Sequence, residues 1–268
     1  MFKALRSLFN ADPAPAAATT LLPHGERVYA VGDIHGCLAL FEALSAAIEA
    51  DDAARGAAKT TVILLGDLID RGPHSAAVIG HARAWGAQRT VRMLTGNHEE
   101  MFLESFEKQS VLRNFLRYGG RETVLSYPIA PAAYHVADIA ETQALMRGAI
   151  PEADLEFLRG FEDSIRIGDY LFVHAGVQPE AALDQQRPAD LRWMREPFLS
   201  FEGDLGAVVV HGHTIVREVE VRDHRIGIDT GAYQSGRLTA LGLEAGARWL
   251  LTAEDNDGTI TVAQRSLG

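Results

Sequence analysis

The stretch Thr61-Val62-Ile63-Leu64-Leu65-Gly66-Asp67-Leu68-Ile69-Asp70-Arg71-Gly72 decides how this chain is read. Five residues, mostly β-branched or aliphatic, have the length and composition of a buried strand, and they stop at a glycine followed by two acids and an arginine. Four other apolar runs end in the same manner. Residues 27–31 precede Gly32-Asp33-Ile34-His35-Gly36, and residues 90–94 precede Gly96-Asn97-His98-Glu99. Residues 170–173 precede His174-Ala175-Gly176, and residues 207–210 precede His211-Gly212-His213-Thr214. Segments of helical periodicity separate these runs, which predicts an α/β architecture. In sheets of this kind ligands collect at the carboxyl ends of strands, so five such ends can converge on one place.

What converges is Asp33, His35, Asp67, Asn97, His174 and one or both of His211 and His213. This mixture of oxygen and imidazole donors is too large for one tetrahedral zinc and suits two metal ions bridged by a carboxylate. Each residue alone has a plainer explanation: Asp33 as the N-cap of a helix over residues 37–50, Asn97 as a turn former, the histidines as satisfied strand ends. Repetition at five strand ends reverses the balance, and six of the ten histidines lie in or beside these junctions. His211 and His213 stand two apart and would share a face if the strand continued, so spacing does not separate them.

Composition narrows the function classes. The chain has 268 residues, 47% of them hydrophobic and 23% charged, which excludes intrinsic disorder and collagen-like repetition. Cys37 is the only cysteine, so no intramolecular disulfide can form and a cytoplasmic location is expected. The formal net charge of −11 opposes non-specific binding of nucleic acid, and no apolar run approaches membrane-spanning length. Residues 1–26, with the Ala/Pro-rich ADPAPAAATT inside them, read as an N-terminal arm and linker, and residues 27–268 as one catalytic domain.

GDIHG at residues 32–36, GDLIDRG at 66–72, GNHE at 96–99, VHAG at 173–176 and HGHT at 211–214, in that order, resemble the motifs of the calcineurin-like metallophosphoesterases. Within that group Asp70-Arg71-Gly72 and Gly96-Asn97-His98-Glu99 resemble the bacterial branch of the PPP-type serine/threonine protein phosphatases. The resemblance runs from about Val28 to beyond Gly236. It implies a central β-sandwich flanked by helices, with a dinuclear metal site at the C-terminal ends of the strands. Asp33 and His35 would hold the first ion and Asp67 both, while Asn97, His174 and His213, favoured by the family's Gly-His-Thr pattern, would hold the second. Manganese is expected, with iron or zinc compatible with the same donors.

Two such ions acidify a bridging water far below its bulk pKa of about 15.7, giving a hydroxide for in-line attack on phosphorus. Arg71 offers a planar fork for two phosphate oxygens. The resemblance makes His98 the general acid, oriented by Asp70, with Asn97 also near the phosphate. Trp193-Met194-Arg195-Glu196 resembles a segment of bacterial members that supplies a second phosphate-binding arginine, here Arg195. The expected function is therefore hydrolysis of phosphoserine and phosphothreonine monoesters, with a phosphorylated protein or peptide as partner. The alternative is a hydrolase of diadenosine tetraphosphate on the same centre, a group whose motifs resemble GDLVARG and GNHD; Asp70 and Glu99 favour the phosphatase. A nuclease, which would carry histidine where Ile215 stands, and a binding module without catalysis rank below both.

Elsewhere the residues carry less. Apolar positions at Phe102, Leu103, Phe106, Leu112, Phe115 and Leu116 predict an amphipathic helix over 99–118, stopped by Gly119-Gly120. Residues 121–168 read as helices or a partial cover over the cleft, and residues 226–232 and 238–243 as late strands. His74 is expected to cap the helix that follows it, and Asp229 to be either a turn residue or a support for the site.

Overall fold

In β1 (Glu26–Val31) Tyr29 and Val31 face one side and Val28 and Ala30 the other, and all four are buried. β2 (Lys59–Leu64) repeats the division, with Val62 and Leu64 opposite Ile63. A strand buried on both faces needs a layer on each side, which is why these runs are continuously apolar rather than alternating. The computed structural model describes residues 21–267.

Two sheets form the centre. The first has the order β11-β10-β9-β1-β2-β3, where β3 is Val91–Met93, β9 Arg237–Glu244, β10 Ala247–Asn256 and β11 Thr259–Leu267. The second has the order β4-β5-β6-β8-β7, with β4 Ser164–Ile167, β5 Tyr170–Val173, β6 Val208–His211, β7 Glu220–Val221 and β8 Arg225–Gly227. Between them Val28, Ala30 and Ile63 pack against Phe172, Val210 and Ile226. Within each sheet the motif-bearing strands run parallel: β1 with β2 and β2 with β3, β5 with β6 and β6 with β8.

The helices are α1 (Leu38–Arg55), α2 (Ser75–Gly86), α3 (Asn97–Ser105), α4 (Gln109–Phe115), α5 (Arg121–Ser126), α6 (Pro131–Val136), α7 (Ile139–Ala149), α8 (Glu152–Arg159), α9 (Pro188–Trp193) and α10 (Ala232–Ser235). Phe41 and Leu44 of α1, Val78 of α2, Phe102 of α3 and Phe115 of α4 cover the outer face of the first sheet with Tyr29 and Val62. Leu191 of α9 and Phe198 cover Leu171, Val173 and Val209 on the outer face of the second. The result is the expected sandwich of two sheets flanked by helices. No helix among the described residues is long and apolar enough to cross a membrane.

Several boundaries differ from the sequence reading. Of the expected arm and linker, residues 1–20 lie outside the described residues. Leu22 is buried and donates its N–H to Ala245 O at 3.1 Å, so packing reaches residues ahead of Arg27. The single helix expected over 99–118 is broken after Ser105, and α4 runs into a π turn over Leu116–Gly120. There Gly119 takes φ 111° and its carbonyl accepts the Arg71 N–H at 3.0 Å. A Cβ at Gly119 would press on Arg71, so the glycine expected to stop the helix also admits the Arg71 loop. His74 stands at the N-cap position of α2 but makes no side-chain capping bond.

Ile63 is fully buried between the sheets, whereas Val262 on the edge strand β11 is 38% exposed. Ile63→Ala is expected to lower unfolding free energy by about 2–5 kcal/mol, and Val262→Ala by less than about 1 kcal/mol, in urea titrations followed by circular dichroism. Equal costs at the two positions would contradict this assignment of the core.

Candidate functional site

The parallel strands bring their C-terminal turns to one edge of the sandwich. Asp33 and His35 follow β1, Asp67 follows β2, Asn97 opens α3 after β3, His174 follows β5, and His213 lies beyond the end of β6. These turns are bent sharply. His35, Asp67, Asp70, Arg71 and His213 all have positive φ, from 45° to 74°, a region costly for side chains with a Cβ. Among the described residues, the two other non-glycine residues with positive φ, Ala245 and Asp257, sit in the tight turns between β9, β10 and β11. Backbone strain is thus gathered where chemistry-bearing side chains meet, as at functional sites generally.

Asp67 is the shared member of two donor groups. His35, Asp67 and His98 place ligand atoms within 4.8 Å of one another, and so do Asp67, His174 and His213. His35 Nε2 lies 3.6 Å and His174 Nε2 3.5 Å from Asp67 Oδ2. His174 Nε2 also lies 3.0 Å from Asn97 Oδ1 and 3.2 Å from His213 Nδ1. Asp33 stands outside both groups. Its two oxygens accept the His213 N–H at 3.2 and 3.0 Å rather than capping a helix, and its carboxylate adjoins that of Asp229. Asp229 in turn accepts the Gly231 N–H at 2.8 Å, so it is both a turn residue and a neighbour of the site.

The protonation pattern fits a cation. His35 donates Nδ1–H to Ile69 O, and His174 donates Nδ1–H to Leu65 O, each at 2.8 Å. Both rings are thereby left with the Nε2 lone pair facing the cluster, the arrangement typical of metal-binding histidines. His174 Nε2 then faces Asn97 Oδ1 with no proton between them, an approach of two acceptors that a cation would relieve. His213 Nε2 is buried with no hydrogen-bond partner among the described residues.

Burial pushes His174 down to about 4 and His213 down to about 2. Asp33 moves well above the usual carboxylate range, through burial first and then through Asp229 and Asp67. Neutral imidazoles and carboxylates that resist ionisation are what a desolvated ligand set shows without the charge of an ion. The donor set therefore fits two divalent cations.

His211 does not join it. Its ring packs edge-on against Phe198 at 5.1 Å, and its Nδ1–H is directed at Gly212 O at 3.1 Å. The alternation that would have put it beside His213 ends with β6, because His213 turns into the left-handed region at φ 62°. Arg71 lies over the first group, with NH1 donating to His35 Nε2 at 2.8 Å and NH2 to His98 Nε2 at 3.1 Å. The Tyr233 ring supports its guanidinium at 4.7 Å. Arg195 is exposed, and its charge reaches His174, His213 and Asp229. Arg192, three residues earlier, is instead committed to Glu100 and Asp163. His98 Nδ1 bonds Asp70 Oδ2 at 2.5 Å, and both side chains are buried.

Glu99 has a structural task that the sequence reading did not assign. Fully buried, it accepts the N–H groups of Asp67 and Leu68 at 2.8 Å and of Gly96 at 2.9 Å. It thereby fixes the turn that aims Asp67. Gly96 is required beside it, since a Cβ there would overlap the Asp67 carboxylate. An acid at the third position of a helix, accepting the N–H of its N-cap residue, is half of a capping box, the half that a glycine N-cap leaves possible, and the one local signal of this role.

A sequence model described as calcineurin-like phosphoesterase matches residues 26–233. The chain is 31% identical over 182 residues to a symmetrical bis(5'-nucleosyl)-tetraphosphatase of Acidovorax ebreus, a match covering 68% of this chain and 51% of that protein. The chain thus spans about half the length of the first curated relatives it matches. An asymmetrical bis(5'-nucleosyl)-tetraphosphatase, PrpE, of Bacillus velezensis is 26% identical over 78% of this chain and 86% of its own length. Among solved structures, one described provisionally as a diadenosine tetraphosphatase superposes with a TM-score of 0.58 at 22% identity, covering 93% of this chain and 96% of its own. A cold-active protein tyrosine phosphatase superposes with a TM-score of 0.56 at 18% identity, covering 92% and 82%. These two structural likenesses concern the fold.

Asp67→Asn is expected to abolish binding of both ions in manganese titration calorimetry, because one carboxylate serves both groups. Glu99→Gln, which keeps every donor atom but disturbs the turn behind Asp67, is expected to weaken manganese binding by about 10- to 100-fold. Full occupancy in Asp67→Asn protein would contradict the shared carboxylate.

Proposed function

The chain belongs to the calcineurin-like phosphoesterases, and from that footing we propose that it is a metal-dependent hydrolase of dinucleoside polyphosphates such as diadenosine tetraphosphate. One observation carries the phosphoryl half of this reading: two donor groups share Asp67 beneath the Arg71 fork. The dinucleotide half is supported by the relatives, which are named as bis(5'-nucleosyl)-tetraphosphatases.

The sequence reading put phosphoserine and phosphothreonine first because of Asp70 and Glu99. Both side chains are fully buried. Asp70 is engaged with His98, and Glu99 with backbone N–H groups. Residues placed behind the reacting groups do not touch a leaving group, so they do not choose between a peptide hydroxyl and a nucleotide phosphate. Hydrolysis of phosphorylated peptides stands as the second reading, on the motif resemblance alone.

Asp33 and His35 on one side, Asn97, His174 and His213 on the other, and Asp67 between them would hold the two ions. When bound, divalent ions supply positive charge to the phosphoryl oxygens and acidity to a water. Arg71 NH1 and NH2, which donate to His35 Nε2 and His98 Nε2 in the structure, would turn to two phosphoryl oxygens when substrate binds, with the Asn97 amide beside them and Arg195 meeting the chain of phosphates from the exposed rim. Asp70 keeps a proton on His98 Nδ1, which directs Nε2 to the departing group. Water adds to phosphorus as the P–O bond breaks, and that bond's electron pair passes to the leaving phosphate oxygen, which takes the Nε2 proton of His98 in its imidazolium form; the proton lost by the water restores that form for the next turnover.

The deciding measurement compares manganese-loaded protein on diadenosine tetraphosphate and on a phosphothreonine peptide at equal concentration, with chelator-treated protein as control. Nucleotide products separated by chromatography are expected to exceed phosphate released from the peptide, and chelation to abolish both. Preference for the peptide would instead establish the second reading. His98→Asn is expected to lower turnover on the preferred substrate by about 10²-fold with metal content unchanged, measured by elemental analysis of the same protein. Undiminished turnover would remove His98 from the reaction.

A further inference from the structure

Thr123 lies in α5, within the region between the third and fourth motifs that carries no metal-binding pattern, yet its side chain is fully buried against the His98–Asp70 pair. Its Oγ1 accepts the Asp70 N–H at 2.8 Å and donates to Asp70 Oδ1 at 2.6 Å. It also lies 2.8 Å from Ser75 Oγ. A threonine hydroxyl has one proton and two lone pairs. With its proton committed to the carboxylate, it accepts that of Ser75, and all three of its capacities are used.

The carboxylate of Asp70 is thus divided. Oδ1 receives the Thr123 proton and Oδ2 faces His98 Nδ1 at 2.5 Å. Asp70 itself is held at φ 74°, where an L-residue has little intrinsic preference to stay. Its N–H is kept in that pose by Thr123 and by Ser75 Oγ at 3.0 Å. A second tie joins the same elements, since Ser126 Oγ accepts the Ala76 N–H at 3.0 Å while donating to Thr123 O at 2.7 Å. α5 is therefore anchored to the first two residues of α2, next to the acid that orients His98.

We propose that Thr123 is a positioning residue for proton donation: its hydroxyl fixes the rotation of the Asp70 carboxylate and so aligns His98 Nε2 with the leaving oxygen. This rests on the assignment of His98 as the proton donor. Thr123 touches no reacting atom, and it acts through Asp70. Removing its hydroxyl frees the carboxylate to turn about its side chain and leaves a buried acceptor unmatched. The loss then falls on the step that needs the proton and spares substrate binding.

The test uses manganese-loaded full-length protein with two aryl phosphates, phenyl phosphate with a basic leaving group and p-nitrophenyl phosphate with a far less basic one. Thr123→Val is expected to lower kcat on phenyl phosphate by about tenfold and on p-nitrophenyl phosphate by less than about twofold, with KM changed by less than about twofold on both. Thr123→Ser, which restores the hydroxyl, is expected to return both rates to within about twofold of the native protein. His98→Asn, measured in parallel, is expected to show the same leaving-group selectivity with a larger loss. If His98→Asn loses both substrates equally, the proton-donor assignment fails and the inference with it. If His98→Asn is selective while Thr123→Val loses both equally or neither, only the inference is overturned. A merely structural role predicts equal loss on both substrates, tracking a fall in Tm. Should Thr123→Val be too unstable to assay, Thr123→Ala and Thr123→Ser supply the same comparison, and absence of selectivity in Thr123→Ala overturns the proposal equally.

Discussion

Asp67 follows β2 at φ 50°, with its carboxylate in both donor groups and its backbone N–H on Glu99. Much else in the molecule serves that placement. Parallel pairing of β1, β2 and β3 carries the turns of Asp33, Asp67 and Asn97 to a common edge. The second sheet delivers His174 and His213 to the same edge from the facing layer. The sandwich core between the sheets sets the distance across which these groups meet. Several carboxyl groups and imidazoles are consequently buried together, an arrangement unfavourable to charge until a cation is among them.

The supports behind this cluster act in layers. Glu99 satisfies three backbone N–H groups of the turns that hold Asp67 and Gly96. Asp70 orients His98, and Thr123 and Ser75 hold Asp70. Arg71 is fixed from the backbone by Gly119 and from the side by Tyr233. Each of these contacts satisfies a group that burial would otherwise leave unmatched, so the site is rigid because its polar inventory is nearly closed. Along the last motif, His211 Nε2, His213 Nε2 and Thr214 Oγ1 are buried without a hydrogen-bond partner among the described residues.

The leaving group is a different matter, because the residues that differ among motifs are not the ones that meet it. Asp70 and Glu99 separate the motif variants cleanly in the sequence, yet they lie beneath the surface that a substrate reaches. The exposed rim, where Arg195 and Tyr233 stand, is assembled from segments distant in the chain.

Five strand-to-turn junctions, the α/β class and the residues Asp33, His35, Asp67, Asn97 and His174 could be read directly from the chain, because strand periodicity and turn-forming glycines are local properties. The single helix expected over residues 99–118 fails for the complementary reason: at its break after Ser105 the Ser105 and Phe106 carbonyls accept from Gln143 and Arg147 of α7, residues remote in sequence. His211 and His213 could not be told apart by spacing, since the end of β6 and the reversal at His213 arise only when the second sheet is assembled. Thr123 left no trace in the pattern, lying 53 residues from its partner Asp70. Local sequence therefore specified which chemical groups stand at the strand ends, while tertiary packing decided which of them face one another, because hydrogen-bond partners of buried groups are supplied by whatever the fold brings near.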